Sequence, residues 1–367
     1  MKRIAVWNTA FLGDAVLTLP LVQSLKLAYP DTSLDFYVRS GFAPLFEAHP
    51  DIDSVYSFNK SSSGAKWRQT FAARNEYAER GYGLWVCAHP GLRSGLMARL
   101  SQASARIGYS EVPFSAMWFT RRVSRHFSRL EEVERLLELL RPLGVAPAST
   151  KPEIHLPEPA LHAAGIFFSS LQESHASAPV LGLHPGSVWA TKRWPARYFA
   201  QVGQMALESG AVLVLFAGPG EDAVALEVLE TLETLVSPEA MGRVYDLSCR
   251  LSLVELAAYI GRLSCYITND SGPMHLAWAQ DVPTAALFGP TVKALGFYPR
   301  GKESKVFEIS LDCRPCGRHG HGVCPQKHHH CMEKLLPEMV WPYVAEKLEA
   351  GYKNCGVTIA KSNTEGI

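Results

Sequence analysis

The sequence predicts an α/β protein built from two doubly wound domains, and three observations carry that prediction. Short apolar runs alternate with amphipathic or capped segments from the start of the chain, the pattern of a βαβ series. Those runs are apolar throughout rather than alternating, as parallel strands covered on both faces require. A stretch rich in Pro, Ala and Ser, residues 143–159, then separates a first series from a second.

In the first series, strands are expected at residues 3–7, 34–38, 54–58, 84–88 and 105–108, followed by an acidic amphipathic helix over 128–143. The second has strands at 180–183, 211–217, 244–247, 265–268 and 284–288 and closes at 305–309. Each of these ends in a Gly, Pro, Asp or Ser turn, so ligands are expected at the carboxyl ends of the strands, between two facing domains. The expected organisation is a domain over 1–155, a linker region over 156–178, a second domain over 179–350 with a Cys-rich segment at 313–332, and a disordered tail over 351–367.

Composition sets the outer limits. With 367 residues, 47% hydrophobic and 19% charged, and a net charge of +1, the chain has enough apolar material for two cores and is neither disordered nor a general polyanion binder. Met1-Lys2-Arg3 precedes an apolar run, but Asn8, Thr9, Gly13 and Asp14 interrupt it before the apolar region of a secretory signal can form. No run of about 18 apolar residues occurs, so no membrane span is expected. A cytoplasmic protein is predicted, whose eight cysteines are thiols or metal ligands rather than a disulfide framework.

The turn Asn269-Asp270-Ser271-Gly272-Pro273-Met274-His275 follows a predicted strand and opens a helix. Ser271 or Asp270 can cap that helix, Pro273 suits its first turn, and Gly272 allows an anion to approach the exposed N–H groups. A phosphate site and a ligand-free capped helix are equal readings of this segment alone. After the first strand comes Asn8 to Pro20, with a single Gly13 where a dinucleotide fingerprint needs three glycines, which weighs against hydride transfer. Asp14 there is either a helix cap or a base within reach of a hydroxyl proton. His184-Pro185-Gly186-Ser187 and Thr191-Lys192-Arg193-Trp194-Pro195 place cations near a turn, beside a ligand phosphate or simply in solvent. Glu221, in Gly218-Pro219-Gly220-Glu221-Asp222, can accept from ribose hydroxyls or complement a helix dipole.

Seven arginines, Arg93, Arg99, Arg106, Arg121, Arg122, Arg125 and Arg129, stand against the single acid Glu111. An anionic substrate, an anionic membrane surface or a solvated face all fit that run, whereas no nucleic-acid reading motif accompanies it. Cys313, Cys316, Cys324 and Cys331, interspersed with His319, His321, His328, His329 and His330, suit a tetrahedral structural zinc or a set of unmetallated thiols; an iron–sulfur cluster fits less well.

Together these motifs resemble glycosyltransferase family 9, the heptosyltransferases of the lipopolysaccharide inner core. The resemblance runs from Arg3 to about Val344. It rests on Leu12-Gly13-Asp14 with Thr18-Leu19-Pro20, Lys192-Arg193-Trp194-Pro195, the 269–275 turn with Leu287-Phe288-Gly289-Pro290-Thr291, and the cysteine segment, which is most similar to the heptosyltransferase II branch. It implies the GT-B arrangement of two Rossmann-like domains and an inverting transfer of heptose from ADP-heptose with no catalytic metal. It implies Asp14 as general base and Lys192 as the cation on the leaving diphosphate. Gly13, Ser187, Lys192, Glu221, Asp270, Ser271, Gly272 and His275 then fall in the donor site. Arg93, Arg121 and Arg122 are the corresponding acceptor candidates, toward an anionic lipid A/Kdo-type acceptor met peripherally at the cytoplasmic face of the inner membrane. Two other classes share the expected fold: a sugar-nucleotide epimerase, which needs no acceptor, and a nonenzymatic nucleotide-sugar binder. A family 9 transferase with another sugar donor is the nearer alternative.

Overall fold

The computed structural model describes residues 3–59 and 74–361. The chain divides into two compact units, Met1–Leu156 and Pro157–Ile367.

The first unit is built on a six-stranded parallel sheet in the order β3-β2-β1-β4-β5-β6. Its strands are β1 (Arg3–Asn8), β2 (Ser33–Arg39), β3 (Ser54–Phe58), β4 (Leu84–Cys87), β5 (Ala105–Tyr109) and β6 (Arg121–Val123). The middle strands are buried on both faces, which is why their sequences show no alternation. Trp7 and Trp85 stack across β1 and β4 at 5.7 Å, and Tyr37 packs against both. Asp35 on β2 is fully buried but not alone: Tyr82 donates to it at 2.6 Å and Arg3 at 3.1 Å. A buried carboxylate without such partners would cost several kcal/mol, roughly the penalty of an unpaired internal charge.

The second unit repeats the plan. Its sheet runs β12-β11-β10-β7-β8-β9, again all parallel. The strands are β7 (Val180–His184), β8 (Val212–Leu215), β9 (Val244–Asp246), β10 (Cys265–Asn269), β11 (Thr284–Leu287) and β12 (Ser304–Phe307). Counted from the start of each unit, both sheets have the order 3-2-1-4-5-6, the doubly wound order in which the chain reverses direction of growth between strands 1 and 4. That reversal falls between β1 and β4 in one unit and between β7 and β10 in the other.

Three expectations need correction. The helix expected over 128–143 starts only at Glu132 as Glu132–Leu137, tightens into a 3-10 turn at Glu138–Leu143 that includes Pro142, and stops at Gly144 with φ 68°. The stretch expected as a linker is mostly the helix Glu158–Ser174, whose buried Ala160, Ala164, Phe168 and Leu171 form one apolar stripe. Phe167 and Phe168 set that stripe against Tyr259 of the helix Leu253–Ile260. The last helix, Pro337–Lys361, extends into the stretch expected as a tail, and residues 362–367 of that expectation lie outside the described residues. Strand β6 was not foreseen, because three residues with two arginines carry no strand pattern.

Candidate active site

In a sheet of this order, the crevice for a ligand lies outside the carboxyl ends of the two strands at the reversal. In the second unit those ends are His184 on β7 and Asn269 on β10, neighbours in the sheet through the Thr268–His184 pair. The connections that follow them are the two segments singled out from sequence.

Asn269 ties these segments together. Its Oδ1 accepts from the Trp194 N–H at 2.9 Å, and its Nδ2 donates to the carbonyls of Pro185 at 2.8 Å and Gly186 at 3.2 Å. Every polar atom of this fully buried amide is therefore spent on fixing loops. Trp194, itself buried, donates from its ring to the Leu335 carbonyl at 2.7 Å and anchors the far side of the same loop. Held in this way, Lys192 reaches Asp270: Nζ to Oδ2 is 2.5 Å, and Thr291 donates to the same oxygen at 2.6 Å. Lysine, aspartate and threonine are all buried.

Asp270 therefore does not cap the helix Gly272–Ala279. Ser271 occupies the cap position without a side-chain cap bond, its hydroxyl lying 3.3 Å from that of Thr268. The first N–H groups of this helix thus have no side-chain cap, with Pro273 in the first turn. An ammonium and an uncapped positive helix end side by side make a place for anionic oxygens. His275, one turn on, is buried, and its Nδ1 has no hydrogen-bond partner among the described residues. Burial pushes its imidazole down to about 4; Asp270 opposes the shift and Lys192 adds to it.

Glu221 belongs to a second chain of contacts. Tyr266 lies 2.8 Å from His184 Nδ1, and His184 Nε2 lies 3.3 Å from Glu221 Oε2, which also accepts from the Gly218 N–H at 2.8 Å. With Nε2 donating to the carboxylate, Nδ1 is the acceptor and the Tyr266 hydroxyl the donor, which sets the tautomer. Burial raises the Glu221 carboxyl, but the hydrogen bond and electrostatic attraction of His184, the Gly218 N–H and Arg193 outweigh it, and the net direction is down. Gly186 has no room for a side chain, since a Cβ there would lie 2.0 Å from the Glu221 carboxylate. Ser187 is buried, and its carbonyl accepts from Arg193 at 2.9 Å. His184, Tyr266 and Thr291 were not picked out from sequence as site residues. Their pairing is not local: His184 and Tyr266 are 82 positions apart, and only the β7–β10 neighbourhood joins them.

In the first unit, the reversal places the segment after β1 beside the end of β4. Asp14 sits in the first turn of the helix Leu12–Leu17, where Oδ2 accepts from the Phe11 N–H at 3.2 Å, and Gly13 is buried in the same turn. The turn is braced from behind by Asn8, which donates to the Asp14 carbonyl at 3.1 Å and to Thr18 at 2.7 Å. Asp14 also interacts electrostatically with Glu132, a buried carboxyl raised by burial and by Asp14 and lowered by Arg125 and Arg135. Arg125 and Arg135 both bond Glu132, the latter at 3.0 Å. The arginines do not act as one patch. Arg121 and Arg122 stand exposed on the edge strand β6, Arg121 donating to the Pro142 carbonyl at 2.5 Å, and Arg93 is half-buried on the helix Leu92–Leu100. Of the seven, Arg125 is the one bonded to Glu132, the carboxyl that also feels Asp14.

The family model for glycosyltransferase family 9 (heptosyltransferase) matches residues 74–328. This chain belongs to that family. It is 25% identical over 339 residues to lipooligosaccharide heptosyltransferase 2 of Campylobacter jejuni, covering 92% of this chain and 96% of that protein. Among solved structures, a family 9 glycosyl transferase from Veillonella parvula matches with a TM-score of 0.80 at 24% identity, over 95% of this chain and 98% of that one. The ADP-heptose lps heptosyltransferase II of E. coli matches with a TM-score of 0.75 at 19% identity, over 95% and 99%. The fold is GT-B, as the resemblance implied, and this family 9 protein is a glycosyltransferase.

The cysteines of this glycosyltransferase converge without closing. Cys331 is buried and raised to about 11 by burial, with Cys316, Cys324 and Cys313 adding to the shift and Arg314 opposing it. Burial, Cys313 and Cys324 likewise raise Cys316, whose thiol donates to the Cys313 carbonyl at 3.2 Å. Among the described residues, no group of three His, Cys, Asp or Glu side chains is arranged to hold a metal ion.

Two expected outcomes follow from these buried charges. His275 is held neutral in the fold, but in the unfolded chain it takes up a proton near its ordinary 6.5, so its contribution is complete above that value and is lost as the pH falls toward 4. His49 in the first unit, lowered to about 4 by burial and His155, has the same sign. Denaturant midpoints are expected to drop between pH 6.5 and pH 4, and His275→Gln to flatten part of that drop; an unchanged slope counts against it. Asp270→Asn leaves the Lys192 ammonium without its counter-charge and is expected to destabilise the second unit by about 3 kcal/mol in urea unfolding.

Proposed function

We propose that this protein is an inverting, metal-independent heptosyltransferase of the lipopolysaccharide inner core, using ADP-heptose as donor and a heptose/Kdo acceptor. The observation that carries the reading is the convergence of Lys192, Asp270, Thr291 and the uncapped helix Gly272–Ala279 at the strand reversal of the second unit, in a chain of family 9.

In the proposed reaction Asp14 takes the proton from an acceptor hydroxyl as its oxygen attacks the anomeric carbon. The bond from that carbon to the diphosphate breaks on the opposite side, so the configuration inverts and ADP departs. Lys192 and the N–H groups beginning at Ser271 and Gly272 meet the charge that grows on the diphosphate, and a preorganised cation and dipole do this without reorganising. Asp270 fixes the position of the ammonium. Glu221, aimed by His184, accepts from the ribose hydroxyls. Ser187 and His275, both buried in the second unit, and Gly13, buried in the turn of Asp14 in the first, are the remaining donor-binding residues in this reading. Arg93, Arg121 and Arg122 serve the phosphorylated, carboxylated acceptor, whose lipid sets the enzyme at the cytoplasmic face of the inner membrane. No described helix is long and apolar enough to cross that membrane, so the contact is peripheral in this reading.

A transfer assay with ADP-heptose and purified lipid acceptor tests the reading. Transfer is expected in the presence of EDTA, with Asp14→Asn and Lys192→Ala each lowering kcat by about 100-fold or more. Donor consumed without acceptor would instead indicate an epimerase, and turnover of only GDP- or UDP-sugars another donor class. Binding of donor with no turnover, unaltered in Asp14→Ala, would leave a nonenzymatic binder.

The donor set of Cys313, Cys316, Cys324 and Cys331 has the chemistry of a structural zinc site, four thiolates at about 2.3 Å from one ion, and the segment would draw together on binding it. Metal analysis of the purified protein is expected to give one zinc per chain, lost in Cys313→Ser; a ratio near zero removes the zinc.

A further inference from the structure

The Cys-rich segment touches the donor site through its backbone rather than its sulfurs. Between β12 and the final helix the chain runs without regular secondary structure through residues 311–329. It is bonded along its length to two loops. At the 190 loop, the Thr191 N–H and hydroxyl both donate to the His321 carbonyl, at 3.1 and 2.9 Å, and the His321 N–H donates back to the Thr191 hydroxyl at 2.8 Å. His329 Nε2 closes the other side of the residue on the Thr191 carbonyl at 2.7 Å. Between these bonds, Gly320 lies so close that a Cβ would sit 2.5 Å from Trp189 Cβ and 2.9 Å from Lys192 Cγ.

At the 288–291 loop, the buried Arg314 guanidinium donates to the carbonyls of Phe288 at 3.0 Å and Thr291 at 2.7 Å, and also to that of Gly289. The Cys316 N–H adds a bond to the Pro290 carbonyl at 2.9 Å. These two loops are the ones that supply Lys192 and Thr291, and both side chains end on the same Asp270 oxygen. A segment with no core of its own is thus bonded to two loops that meet at Asp270.

We propose that residues 313–331 are a clamp that positions Lys192 against the leaving diphosphate, with Thr191 as the positioning residue that transmits it. The proposal rests on the reading of Lys192 as the leaving-group cation. Misplacing a reacting group by about 1 Å costs on the order of 100-fold in rate, so a clamp of this kind acts on kcat before it acts on the fold.

Thr191→Val keeps the shape and removes both hydroxyl bonds, Thr191→Ser keeps the hydroxyl, and Gly320→Ala forces a methyl against Trp189 and Lys192. In the full-length enzyme, Thr191→Val is expected to lower kcat roughly tenfold or more with a smaller change in donor KM, and Thr191→Ser to restore most of it. Gly320→Ala should behave like Thr191→Val, which keeps the test open if the valine variant does not fold. Hydrogen exchange at 189–193 and at 288–292 should quicken together in both variants. In a Lys192→Ala background the Thr191→Val effect on kcat should vanish, since the clamp has nothing left to aim. Wild-type kcat in both single variants, or an undiminished effect in the Lys192→Ala background, overturns the clamp. If Lys192→Ala alone keeps wild-type kcat, the leaving-group reading has failed, and the positioning role falls with it whether or not the loops loosen.

Discussion

The second unit depends on one buried ion pair. Taking an ammonium and a carboxylate out of water costs several kcal/mol each, and their attraction returns that only with good geometry and with their remaining hydrogen bonds satisfied. The Lys192–Asp270 contact has close geometry, and other groups are committed to its surroundings. Thr291 takes up the same carboxylate oxygen, and Asn269 spends its whole amide on the loops either side. Such a pair is poor value as a source of stability, where two apolar side chains would do as well or better. What it does supply is a cation fixed at the end of a helix whose N–H groups lack a side-chain cap. Fold and site are therefore coupled: the loops are ordered by the pair, and the pair exists only where the β7–β10 reversal brings its two halves together.

The division between what could and could not be read from sequence follows this coupling. Apart from the edge strand β6, both parallel sheets were legible, because strands buried on two faces are written as continuous apolar runs, and a turn residue closes each one. The partners of the polar residues were not. Asp270 reads locally as a helix cap, since aspartate before Ser-Gly-Pro is placed to accept from the first turn. A lysine 78 positions away removes it from that role, and the bond between them is a product of strand order rather than of spacing. His184 was visible in its turn but had no visible task until Tyr266 and Glu221 were brought to its two nitrogens. The helix Glu158–Ser174 was hidden for a different reason: the prolines at 152, 157 and 159 mark a break, and the apolar stripe beyond them shows only against Tyr259.

The arginine-rich stretch shows the same limit from the side of charge. Seven cations in sequence suggest one basic surface, yet the fold disperses them. Arg125 is drawn inward to Glu132, Arg106 is taken up by the carbonyls of Ala103 and Trp118, and Arg121 leans on Pro142, while Arg122 remains exposed. Composition records how much charge is present, and only the fold decides how much of it has already been neutralised. For an anionic acceptor the useful cations are the ones with no carboxylate of their own.

The two units have the same strand order and put opposite charges at the same topological place. After strand 1 of the first sheet the chain turns directly into a helix and presents Asp14 in its first turn, braced by Asn8 and Thr18. After strand 1 of the second it makes a longer excursion, which Asn269 and Trp194 hold down, and presents Lys192. The proposed transfer asks for a base at the incoming hydroxyl and a cation at the outgoing diphosphate, roles that do not require the two residues to pair. Each is instead engaged within its own unit, Asp14 at the Phe11 N–H and in the field of Glu132, and Lys192 on Asp270. The same strand order thus carries two different loops at its reversal, each held by partners inside its own unit.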